Sequence, residues 1–152
     1  MAYRFSLETL LNLRKRRLEL TEMELMRAEQ RLSREQENLE LTRKAIEIQR
    51  QDMEEHLKKG MMAHELQQFF GVLEMLSMAE EAQQQSVLTM QKEVKKLKDS
   101  RLEQYKDKEL LERLKEKDKN KWLAEIARME QKELDELSTQ RHARRTQTIT
   151  NN

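Results

Sequence analysis

Cysteine is absent, so no disulfide framework, thiolate nucleophile or cysteine metal site can form. Proline is absent too, and glycine occurs only at Gly60 and Gly71. Nothing else in the chain breaks a helix by backbone chemistry. No apolar run approaches the roughly 20 residues needed to span a bilayer. The opening MAYRFSLETLL lacks the charged-then-apolar pattern of a signal segment. These absences, with the missing cysteines, fit a soluble intracellular protein with no direct membrane insertion. A large charge of one sign is also missing. Thirty basic and 29 acidic residues leave a net charge of +1. Along its length the chain therefore has no electrostatic reason to bind nucleic acid or an anionic membrane. No glycine-rich loop offers a phosphate cradle.

Charged residues make up 39% of the 152 and hydrophobic ones 36%. A chain dominated by Glu, Lys, Gln, Leu, Arg and Met has the composition of long helices or of disorder. Periodicity decides between the two. Leu11, Leu18, Leu25, Leu32, Leu39, Ile46 and Met53 recur every seventh residue, which marks a coiled-coil seam. The second seam position is mostly polar: Arg14, Thr21, Ala28, Glu35, Thr42 and Gln49. A strict parallel zipper wants both positions apolar, so this helix is expected to pack against a non-identical one.

The spacing predicts a first helix over about 6–58, with Ser6 as N-cap. Gly60 suits the position just after its end, within a turn over about 59–63. A second helix follows over about 64–141, with a seam through Leu73, Leu76, Val87, Met90, Val94 and Leu97. Its phase is read as drifting before Leu111, which suggests a stutter. The polar tail at 146–152 is expected to be disordered. The fold expected is all-α: a single coiled-coil domain over 1–152, an antiparallel two-helix hairpin with a longer, overhanging second helix. Ile126, Met129, Leu134 and Leu137 lie on the overhang without an internal partner.

A basic run, Arg14 to Arg17, precedes the leucine series as in a basic-zipper DNA reader. The run is only four residues long, with Leu10, Leu11 and Leu13 before it and Glu19, Glu22 and Glu24 after it. Groove reading needs basic residues over several turns, so DNA binding is not expected. His56, His64 and His142 have no metal-ligand spacing and read as surface residues. Carboxylates on an exposed coiled coil have no pocket to tune them for acid–base work. No enzyme and no cofactor are expected. Phe69 and Phe70 sit beside the turn. Adjacent helical positions point about 100° apart, so both cannot enter one seam. An exposed phenylalanine there would mark a binding site; the plainer role is to cap the hairpin end against Ile48 and Met53.

Three phrases together resemble the flagellar export protein FliJ family, over essentially the whole chain. The first is Phe5, Leu7, Leu10, Leu11, Leu13 and Arg14. The second is the middle QQFFGVLE, and the third is Lys132, Leu134, Asp135 and Glu136. The resemblance implies a non-enzymatic coiled-coil stalk of the flagellar type III export apparatus. Such a stalk would be cytoplasmic and peripherally associated with the membrane at the flagellar base. Implied partners are the hexameric export ATPase, the cytoplasmic domain of the export gate protein, and export chaperones. Carried onto this chain, gate binding would use Phe69, Phe70, Leu73, Leu76 and Glu80 with Asn38, Thr42, Ala45 and Gln49. Ring contact would use Arg14, Lys15, Arg16 and Arg17 with Leu134, Asp135 and Glu136. Alternatives are the injectisome counterpart of this stalk and a generic dimeric coiled-coil scaffold.

Overall fold

A computed structural model describes residues 2–151. Two helices carry the fold: α1 (Glu8–Lys59) and α2 (Ala63–Thr150). They form an antiparallel hairpin, and no strand occurs among the described residues. Where the sequence suggests one domain, contacts fall into two compact units. Unit 1 joins the residues up to Arg16 to those from Tyr105 onward; unit 2 is Arg17–Gln104.

The start of α1 differs from expectation. Its first helical hydrogen bond runs from Leu11 N to the Leu7 carbonyl at 2.9 Å, after a turn closed by Glu8 N on the Phe5 carbonyl. Leu7 therefore occupies the cap position, and Ser6 precedes it. The end follows expectation. Gly60 has φ +90° just after Lys59, and its N–H donates to the Leu57 carbonyl. A side chain at that φ meets its own backbone. Gly71 lies inside α2 with no atom within 4 Å of where a Cβ would stand. The two glycines should respond in opposite senses. Gly60→Ala is expected to destabilise by about 1–2 kcal/mol. Gly71→Ala should stabilise by about 0.5–1 kcal/mol. Urea unfolding followed by circular dichroism would give both signs, and like signs would contradict the turn geometry.

Helix α2 runs to Thr150 rather than stopping near Arg141, so residues 146–150 are helical. No proline or glycine interrupts this stretch. Thr146 and Thr148 donate to the carbonyls four residues back, His142 and Arg144. Such hydroxyl bonds let a polar segment stay helical.

In unit 2 the seam follows the leucine series. Leu18, Thr21, Leu25, Ala28, Leu39 and Ile46 are buried on α1, as are Val87 and Val94 on α2. Leu25, Ala28 and Val94 form the tightest cluster, with Leu32 and Leu97 packed against it. Nearer the turn the α2 seam is partly polar. Glu80 and Gln83 are half-buried there, and Gln83 Oε1 has no hydrogen-bond partner among the described residues. In unit 1, Leu11 is fully buried and Leu111 nearly so. Leu111 follows Leu97 by two sevens, with half-buried Gln104 and Lys108 at intervening seam positions. The seam therefore keeps its phase without a stutter; polar residues at seam positions hide it from a search for apolar ones.

Candidate partner-binding surfaces

A heptad seam uses two positions in seven, here called a (Leu25, Leu32, Leu39 and Ile46 on α1) and d (Ala28, Glu35, Thr42 and Gln49). Positions e and g flank the seam on opposite sides, and b and c lie beyond them. In an antiparallel pair, e faces e and g faces g. Ion pairs in unit 2 show this arrangement: Lys98 reaches Glu29 at 3.7 Å on the e side, and Arg31 reaches Glu93 at 3.7 Å on the g side.

This register locates every residue that the sequence assigns to gate binding. All lie in unit 2 near the turn, so the structure does bring them together. Most, however, face inward. Phe69, Leu73, Leu76 and Glu80 occupy the α2 seam and are half-buried. Phe69 stacks at a tilt on His56, with centroids 5.4 Å apart. Glu80 accepts a hydrogen bond from Arg43 Nε at 3.2 Å. Thr42 and Gln49 occupy α1 seam positions, and Thr42 donates to the Asn38 carbonyl. Ala45 and Asn38 are at g, and only Asn38 is exposed. Phe70 is more than half exposed, on the e side.

Four exposed apolar residues of unit 2 lie together on the g and c side. Val72 at g is 42% exposed, while Leu41, Ile48 and Met75 at c are 58%, 65% and 73% exposed. Ala45 and Ala79 sit between them at g. Shallow alanines flanked by protruding c side chains make a shallow trough along one flank of unit 2. Exposed apolar side chains grouped on one flank of so polar a chain make that flank a candidate interaction surface. Leu41 and Ile48 lie two residues past the seam positions Leu39 and Ile46, where the heptad series alone gives them no partner. The α2 seam read from the sequence, through Leu73, Leu76, Val87, Met90, Val94 and Leu97, already leaves Val72 and Met75 off it.

Of the basic run, Arg14, Lys15 and Arg16 belong to unit 1 and Arg17 to unit 2. Arg14 lies 4.0 Å from Asp107, and Lys15 lies 3.9 Å from Glu112. Exposed pairs of this kind contribute at most about 1 kcal/mol. Arg16 and Arg17 are exposed. Leu134, Asp135 and Glu136 are exposed on α2, far along the helix from that run, and Asp135 accepts a hydrogen bond from Gln131. Burial on α2 ends with half-buried Trp122 and Ile126; every described residue from 127 on is exposed. The expected unpartnered stretch begins at 127 and carries exposed Met129, Leu134 and Leu137, whereas Ile126, expected on it, is half-buried.

Tyr3 was missed by sequence reading. It lies ahead of α1, where no helical pattern applies. Its ring packs 5.6 Å from that of Trp122. Its hydroxyl lies 2.9 Å from Asp118 Oδ2 and 3.2 Å from the Lys115 carbonyl. Lys115 in turn pairs with Glu8 at 2.8 Å. Removal from water and the Asp118 hydrogen bond raise the Tyr3 pKa from 10.0 to about 12. The folded form prefers the neutral phenol. This contribution is therefore complete below about pH 10 and lost as pH rises through about 12. In a Tyr105→Phe background Tyr3 is the remaining tyrosine, and ultraviolet titration should find it ionising near 12. Ionisation at the ordinary phenol value would mean the packing on Trp122 is absent.

Among the described residues no helix is long and apolar enough to cross a membrane, and no His, Asp and Glu group is arranged to hold a metal ion. No curated protein and no solved structure matches the chain. The family profile described as Flagellar FliJ protein matches residues 3–147. That span takes in the Tyr3 segment, the hairpin and most of the unpartnered α2 stretch, and the chain belongs to the flagellar FliJ family, a component related to flagellar export.

Proposed function

We propose that this protein is a non-enzymatic stalk of the flagellar type III export apparatus. It binds the export ATPase ring through unit 1 and the cytoplasmic domain of the export gate through unit 2, and it escorts export chaperones. It acts in the cytoplasm, peripherally associated with the membrane at the flagellar base. The observation that carries the reading is the open apolar flank of unit 2. Two helices that need only one seam leave a second apolar surface beside it.

Phe69, Leu73 and Leu76 support that surface from within the seam. Leu41, Ile48, Val72 and Met75 make the contact, with Ala45 and Asn38 at its edge. For the ATPase contact the basic run offers Arg14, Lys15 and Arg16 in unit 1, with Arg17 at the start of unit 2. Leu134, Asp135 and Glu136 are offered by helix that nothing else covers.

A pull-down of the full-length protein against the ATPase and, separately, the gate domain tests this reading. Both baits should retain the wild type. Leu41→Glu with Ile48→Glu should lose the gate signal, keep the ATPase signal and keep wild-type helicity. Retention by neither bait would end the reading. Unchanged gate binding by the double variant would remove the apolar flank from it.

A further inference from the structure

The flank that carries the apolar trough changes character further along α1. The c positions read Ile48, Leu41, Arg34, Arg27 and Leu20 moving away from the turn, and the g positions read Ala45, Asn38, Arg31 and Glu24. Arg27, Arg31 and Arg34 line one open depression in unit 2 together with Glu24 and Gln30, and Glu93 and Leu97 lie opposite. Arg31 reaches Glu93 at 3.7 Å, and both side chains are more than half exposed. Arg27 and Arg34 make no ion pair or hydrogen bond among the described residues. Three guanidinium groups at i, i+4 and i+7 repel one another on a helix face. An anion supplied from outside relieves that repulsion, and a guanidinium fork fits a carboxylate in bidentate geometry.

Resting on the docking reading above, we propose that the partner seated on Leu41, Ile48, Val72 and Met75 continues into an acidic stretch. That stretch engages Arg27, Arg31 and Arg34. Heptad spacing carries the argument. Arg34 lies about two helical turns, roughly 10 Å, beyond Leu41 on the same stripe. One segment lying along the flank therefore meets apolar side chains first and arginines next. The charge is local, and this favours a protein segment over nucleic acid or a bilayer. On α2 the facing g and c positions are Ser86, Thr89, Glu93 and Lys96, and the whole chain carries only +1. The arginines set specificity and association rate, while the trough supplies apolar contact.

The test measures affinity of the full-length protein for the purified gate cytoplasmic domain at low and high salt. Arg27→Glu with Arg34→Glu keeps the Arg31–Glu93 pair and all seam residues. It should weaken binding about tenfold or more at about 50 mM salt, and the difference should shrink at about 500 mM. Arg27→Lys with Arg34→Lys should recover part of the loss. Unchanged affinity and salt dependence in the Glu variant, while Leu41→Glu with Ile48→Glu abolishes binding, would overturn the inference and leave the docking reading standing. Binding that survives the apolar substitutions would overturn the docking reading and the inference with it. Capture of wild type by phosphatidylserine vesicles, abolished by the Glu variant, would assign the arginines to a membrane and also overturn the inference.

Discussion

Leu25→Ala is expected to destabilise unit 2 by about 2–5 kcal/mol, the range for removing a buried leucine side chain. Leu25 is 4% exposed and packs with Ala28 and Val94, the tightest cluster of the unit. Leu32 and Leu97 border the cavity that would be left. A two-helix seam has no second layer from which to refill it, so relaxation is limited to those neighbours. The whole stability of a small domain is about 5–15 kcal/mol, so the loss is a large fraction of the total. Circular dichroism during urea unfolding would register it as a lower midpoint. Leu41→Ala, at an exposed c position, should stay within about 0.5 kcal/mol of wild type. Equal losses at the two sites would mean the seam has been drawn along the wrong stripe.

Leu11→Ala should have a comparable effect, about 2–5 kcal/mol, on unit 1. Leu11 is the largest fully buried side chain described. Unit 1 also holds the only tryptophan, Trp122, which packs on Tyr3. Its fluorescence therefore reports on the unit in which the cavity is made. The emission of the variant should shift to the red at a lower urea concentration than that of wild type. An unchanged Trp122 transition would show that the Tyr3–Trp122 contact does not depend on the Leu11 layer.

Leu11 to Met53 was legible because the physical cause and the sequence signal coincide. One position in seven faces the partner helix, and at nearly every such position α1 carries leucine or isoleucine. Gly60 was legible because only a glycine readily takes φ +90° at a helix end. The α2 seam was harder to follow. Glu80, Gln83, Gln104 and Lys108 fill positions where a hydrophobic residue is the usual signal. Long side chains lay their methylenes along the seam while their polar ends reach its edge. The C-terminal extension was misjudged because polarity was taken for disorder, although nothing there terminates a helix.

Of the residues proposed for the site, the structure places Phe69, Leu73, Leu76 and Glu80 in the α2 seam and Phe70 on the e side. Leu73 lies on the α2 seam read from the sequence, and Phe69, four residues before it, falls on the same stripe. Once Val94 and Leu97 fix the phase of that seam, the open side falls on Val72 and Met75.

The seam of unit 2 also bears on the order in which its helices meet. Layers beside the turn close the shortest loops, and each doubling of loop length costs only about 0.6 kcal/mol more. Yet the short-loop layers include Thr42, Gln49, Glu80 and Gln83, whereas the well-packed ones lie towards Leu25 and Val94. Zipping from the turn thus gains little until it reaches layers that close much longer loops. The same imbalance makes the turn-proximal seam the first part of unit 2 to part once folded. Each such opening exposes Phe69, Leu73 and Leu76 beside the apolar flank, enlarging the surface in the half of the unit that already presents one.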